Sequence, residues 1–190
     1  MKNIAIFASG EGTNAQNIIN YFSKSEKIKV ALVISNKSTA NVLNRAKAAG
    51  VQTLLINHQM FYETNQTIEL LKLAKIDFIV LAGFLWLIPE SLVKAFPNKI
   101  INIHPALLPK FGGKGMYGMN VHKAVIEAKE KESGITVHFV NEKYDEGKII
   151  SQRKCTIDKN DTPEMLAKKI HELEYEFFPK AIEDVVGKMS

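Results

Sequence analysis

The chain alternates short apolar, β-branched runs with segments of helical spacing, and that alternation admits few folds. NIAIFAS precedes NAQNIINYFSK, IKVALVIS precedes ANVLNRAKAAG, VQTLLI precedes a polar helical stretch, and IDFIVLAG and NKIINIH supply two more runs. Such a pattern predicts parallel strands joined by right-handed helical crossovers. The runs are almost continuously apolar, as strands are when helices cover both faces of a parallel sheet. Further along, GITVHFV and KIISQRKC flank the short connection NEKYDEG, which suits an antiparallel pair at one side of the sheet. A last helix is signalled by DTPEMLAKKIHELEYEFFPKAIEDVVGKM, with Asp161 or Thr162 as its cap and Pro163 in its first turn. The expectation is an α/β, single-domain, Rossmann-like fold over residues 1–190. Its mostly parallel twisted sheet has about seven strands, helices on both faces and an antiparallel pair at one side.

Composition narrows the classes of function. With 190 residues and 46% hydrophobic content the chain is long enough to bury a substantial core. No apolar run approaches the roughly 20 residues of a membrane span, and the N-terminus enters a strand without a signal-like region, so a cytoplasmic protein without membrane contact is expected. The formal charge of +5 is spread through mixed segments such as EAKEKE, which reads as ordinary solvated surface and not as a nucleic-acid face. Cys155 is the only cysteine and has no His or Asp in motif with it, so it is read as a plain strand residue. The five histidines lack ligand-like spacing, and no metal is expected.

In open parallel sheets ligands gather beyond the carboxyl ends of the strands, which directs attention to SGEGTN, AGFLWLIP and NIHP. In SGEGTNA, Gly10 and Gly12 permit a tight turn and the following helix offers amides to an anion. Read as G-x-G-x-x-A the segment also fits a dinucleotide fingerprint, but the second strand ends in ISNKS without the acid that NAD needs; Lys37 leaves NADP open. The plainer alternative is a glycine turn linking strand to helix. In INIHP, residues two apart share a strand face, so Asn102 and His104 project together while Ile101 and Ile103 point away. Asn102 offers an amide to an oxygen, His104 titrates near neutrality, and Asp145 in YDEG offers a carboxylate that would raise the imidazole's pKa. Converging on one carbonyl, the three would suit acyl transfer, with a cationic His104 as proton donor. The bland alternative is a capped strand and an acidic turn.

NIHPALLPKFGG, SGEGTN, VLAGF, GITVHFV and YDEG follow one another in an order that resembles the folate-dependent glycinamide ribonucleotide transformylases, over nearly the whole chain. The resemblance implies formyl transfer from 10-formyltetrahydrofolate, as co-substrate, to the amine of glycinamide ribonucleotide in purine synthesis. It implies Asn102, His104 and Asp145 as the catalytic set: His104 as general acid, Asn102 holding the formyl oxygen, and Asp145 raising the histidine's pKa and organising a water. It assigns Gly12, Thr13 and Asn14 to the ribonucleotide phosphate and Glu174 to the ribosyl-glycinamide portion. Leu85, Trp86, Leu87 and Ile88, with Asn102, would line the folate pocket. An arginine is common in that family where Trp86 stands here, and ordinary packing is the simpler role for the indole. The partners implied are small molecules, and the chain would act as a monomer or homodimer. The glycine-rich KFGGKGMYGMNVH is long enough to close over substrates, or to be a simple surface loop. Rival readings are another formyl-folate enzyme, such as methionyl-tRNA formyltransferase with its extra RNA-binding domain, an NADP-binding oxidoreductase, and a silent folate-binding module.

Overall fold

A computed structural model describes residues 1–188. Its strands are β1 (Lys2–Phe7), β2 (Ile28–Ser35), β3 (Gln52–Leu55), β4 (Phe78–Leu81), β5 (Ile100–His104), β6 (Glu132–Phe139) and β7 (Ile149–Thr156). They form one sheet in the order β3-β2-β1-β4-β5-β6-β7. Pairings from β3 through β5 are parallel, and β5–β6 and β6–β7 are antiparallel. The α/β architecture read from the sequence is therefore the one observed.

The helices are α1 (Thr13–Phe22), α2 (Asn41–Ala48), α3 (Gln66–Leu73), α4 (Glu90–Ala95), α5 (Met119–Glu127) and α6 (Pro163–Gly187). Strand alternation builds a core on each face. Ile4, Ile6, Phe78, Val80, Ile101 and Ile103 pack with residues of α1, α2, α5 and α6. Ala5, Phe7, Ile79, Leu81 and Ile100 pack on the other face with residues of α3 and α4. Burying each large aliphatic side chain contributes about 1.5–3 kcal/mol, so the nearly unbroken apolar runs are what hold the sheet between two helical layers. No helix among the described residues is long and apolar enough to cross a membrane.

Local chemistry sets the ends of elements. Thr162 caps α6 by accepting the Met165 N–H at 3.3 Å, with Pro163 at the first helical position. Asp161 instead binds Lys169 and the Asp158 N–H. The polar stretch after β3 is not one helix: a π-helical turn, Gln59–Glu63, precedes α3, and Phe61 within it is buried against Phe7 and Phe84.

The chain winds outward from β1 to β3 and then returns to place β4 on the other side of β1. Loops after β1 and β4 consequently diverge and leave a crevice at their carboxyl ends. The Ser9 N–H donates to the Gly83 carbonyl at 3.0 Å, and the Ser9 hydroxyl accepts the Leu85 N–H at 3.0 Å, which fixes the floor of that crevice. Gly12 sits at its edge with φ 72, and a Cβ there would lie 2.4 Å from Val42 Cγ2. Gly12→Ala should therefore combine left-handed strain with overpacking and lower stability by about 2–4 kcal/mol. Denaturant unfolding measures this; a loss under about 0.5 kcal/mol would mean that α2 yields to the methyl group.

Candidate active site

A cleft of about 850 Å³ opens at this crevice and extends across the carboxyl end of β5. Every residue assigned a site role from the sequence lines it: Gly12, Thr13 and Asn14 on one wall, Leu85 to Ile88 on another, and Asn102, His104, Asp145 and Glu174 between. At the first wall α1 begins without a side-chain cap, so its leading amides are left open toward the cleft. Arg45 Nε holds the Glu11 carbonyl at 2.8 Å and Asn41 holds the Glu11 carboxylate at 3.1 Å, which steadies the turn that precedes those amides.

The convergence inferred for three side chains is real. Asp145 Oδ2 lies 3.5 Å from His104 Nδ1 and accepts the Gly113 N–H at 2.9 Å, while its Oδ1 accepts from Asn102 Nδ2 at 3.4 Å. Asp145 is drawn there by the β6–β7 turn, in which it adopts φ 56, an unusual conformation for a residue with a Cβ. Burial pushes its carboxyl upward, but the His138 and His104 rings and the Gly113 amide outweigh burial and hold it below the usual carboxylate range.

His138 is a fourth member that sequence reasoning passed over. Antiparallel pairing sets it opposite Asn102, and its Nε2 lies 3.2 Å from Asn102 Nδ2. Its Nδ1 donates to the Phe139 carbonyl at 2.8 Å, and its Nε2 also lies 3.6 Å from Asp145 Oδ1. The signal was available in GITVHFV, where His138 stands at an alternation position of a strand, but only the register across β5 gives it meaning.

Asp145 pulls the His104 pKa upward, as expected, but burial, which leaves the residue 3% exposed, is the larger influence and the net shift is downward. His104 Nε2 donates to the Phe111 carbonyl at 2.7 Å, a short bond, and its Nδ1 faces Asp145 Oδ2 at 3.5 Å, long for a hydrogen bond; both partners are acceptors. Glu174 is 5% exposed and accepts from Asn14 Nδ2 at 2.9 Å and His171 Nδ1 at 2.8 Å.

The opposite wall is aromatic. Trp86 packs against Phe61, Tyr62 and Phe84 with centroid separations of 5.6, 5.7 and 6.2 Å, so packing and cleft lining coexist in one side chain. The Tyr62 hydroxyl donates to the Leu87 carbonyl at 2.8 Å and ties the π-helical turn to the segment that lines the cleft. Cys155 lies in β7, where burial pushes its thiol up and so away from nucleophilic chemistry.

A sequence-family profile described as formyl transferase matches residues 2–182, and the chain belongs to that family. Within it, the chain is 37% identical over 193 residues to a phosphoribosylglycinamide formyltransferase of Bacillus subtilis, covering 98% of this chain and 96% of that protein. It is 41% identical over 187 residues to the chloroplastic phosphoribosylglycinamide formyltransferase of Arabidopsis thaliana, covering 95% of this chain but only 64% of the length of that relative. A solved phosphoribosylglycinamide formyltransferase from Bacillus halodurans superposes with a TM-score of 0.88 at 35% identity, covering 100% of this chain and 97% of that one.

Burial of two histidines has a consequence for stability. His104 and His122 both have folded values below the ordinary one of about 6.5, so acidification through that value protonates the unfolded chain first and favours it. His171 works the other way: Glu174 raises it, so its contribution is full below about pH 6.5 and fades as pH rises through its folded value. The melting temperature should fall between about pH 7.5 and about pH 5.5, and His122→Gln should reduce that fall. An identical fall in wild type and variant would remove His122 from this balance.

Proposed function

We propose that the chain transfers the formyl group of 10-formyltetrahydrofolate to the amine of glycinamide ribonucleotide, giving the N-formyl product and tetrahydrofolate. The observation that carries this reading is the meeting of His104, Asn102 and Asp145 at the end of β5, in one cleft with the open amides of α1. A phosphate at those amides and an acyl carbon at His104 are the two ends of such a reaction.

In this reading the substrate amine attacks the formyl carbon, forming the new C–N bond as the carbonyl electrons move onto oxygen. The attacking nitrogen must then lose a proton, and the departing folate nitrogen must gain one as its bond to the formyl carbon breaks. The His104 Nε2–H suits the second task, and Asp145, held ionised 3.5 Å from Nδ1, favours the imidazolium form that donates it. A water ordered by Asp145 receives the proton that the attacking nitrogen sheds. Asn102 directs its amide nitrogen to His138 and Asp145, so its amide oxygen is the atom left to face ligands in this arrangement. Serving the formyl oxygen would require that amide to release one of its two partners.

Proton transfer at Nε2 also requires the Phe111 carbonyl to move away. Phe111 has φ 56 and opens the glycine-rich loop, whose Gly113 N–H is bound to Asp145. The loop is thereby fastened to both members of the catalytic pair, which favours its reading as a closing element over that of a free surface loop.

The test is the release of tetrahydrofolate followed by absorbance, with and without glycinamide ribonucleotide; turnover that ignores the amine would end the proposal. Asp145→Asn should lower turnover on the order of 100-fold or more while leaving donor binding within about 3-fold, because the imidazolium loses its counter-charge. Equal losses in both quantities would make Asp145 a binding residue instead.

A further inference from the structure

His122, the fourth residue of α5, is 3% exposed, lines the cleft and makes no hydrogen bond with any described residue. Its Nδ1 is sealed from solvent without a partner. A buried polar atom in that condition costs about 1–3 kcal/mol, and folded proteins retain one where something else compensates. With Nδ1 sealed, the ring meets the cleft through its other edge, which carries Nε2. Glu174 and His171 on α6, and His104 at the end of β5, all act electrostatically on the ring. Glu174 Oε2 takes both Asn14 Nδ2 and His171 Nδ1, and the Asn14 amide oxygen is likewise sealed without a partner. Helices α1, α5 and α6 therefore enclose a polar cluster that is incomplete as the chain alone builds it.

We propose that His122 is a further substrate-binding residue, whose Nε2 edge hydrogen-bonds the hydroxyl-bearing portion of the nucleophilic substrate, between the anion at α1 and the amine at His104. The inference deepens the function proposed above and rests on it. Two arguments fix the kind of contact. Buried N–H groups without an acceptor are the rarer defect in folded proteins, so the proton belongs on Nε2 and the ring donates into the cleft. The same geometry makes His122 a poor base, since the imidazolium would hold a second N–H at the sealed Nδ1. Burial, followed by the neighbouring His171 and His104, lowers its pKa in keeping with a neutral role. A donor at His122 beside the acceptor carboxylate of Glu174 matches a pair of hydroxyls, each of which both gives and accepts.

Replacing His122 by Gln and by Asn tests this, because the Gln amide reaches about as far as Nε2 and the Asn amide only as far as Nδ1. Steady-state kinetics with purified full-length variants should show KM for glycinamide ribonucleotide raised about 10-fold or more in His122→Asn and less than about 3-fold in His122→Gln, a tenfold change being worth about 1.4 kcal/mol. In both, kcat and the KM for the formyl donor should stay within about 2-fold, and the pH profile of kcat/KM should keep both limbs. An unchanged amine KM in both variants, with melting temperatures near wild type, would overturn the proposal. Loss of a limb from the pH profile would also overturn it, by making His122 an acid or base. A general loss of kcat with lowered melting in both variants would assign it to structure alone. Wild-type protein that shows no amine-dependent turnover would instead refute the underlying function, a result readable before any variant is made.

Discussion

A single buried carboxylate organises the active cleft. Asp145 reaches strand β5 from the β6–β7 turn, and in doing so binds the amide of Asn102, the backbone of Gly113 and, electrostatically, the ring of His104. Asn102 and His104 come from β5 and Gly113 from the loop that follows it. The turn supplies this reach at a local cost, since Asp145 holds a left-handed backbone conformation that costs a residue with a Cβ about 1–2 kcal/mol. Close fit makes the arrangement intolerant: a Cβ added at Gly112 would stand 2.5 Å from Leu108 Cδ2 and 3.2 Å from Asp145 Cβ. The carboxylate stays ionised although it is buried, so the site keeps one fixed negative charge beside the His104 and His138 rings.

The sheet explains why such distant residues can meet. Two apolar cores, one on each face, leave the strand directions fixed and the carboxyl ends free for chemistry. The reversal of strand order at β1 and β4 parts the loops and makes room for ligands, while the antiparallel pair β6–β7 delivers His138 and Asp145 beside β5. The aromatic wall is a separate solution to a similar need. There a π-helical turn supplies Phe61 to the core and Tyr62 to the Leu87 carbonyl, so that one short element both packs and positions.

How much of this was legible in the sequence depends on the range of the physics. Strand runs, their crossovers and the cap at Thr162 are set by neighbours a few residues away, and they were readable. That Asn102 and His104 share a face followed from a period of two, and Asp145 was found by its chemistry. His138 and His122 were not found, because their roles arise from strand register and from helix packing that no local pattern encodes. Burial was the other blind spot. The upward pull of the carboxylate on His104 was readable but the desolvation that outweighs it was not, nor was the burial of Glu174. The split of the stretch after β3 into a π-helical turn and α3 likewise depends on Phe61 finding Phe7 and Phe84.

The Phe111 carbonyl on His104 Nε2 makes the protein its own placeholder. Under the proposed function, a peptide oxygen stands where a reacting group is received, so the imidazole is already oriented. Occupancy by an incoming molecule then exchanges one hydrogen bond for another of similar strength, and selectivity falls to whatever else that molecule satisfies at the remaining walls.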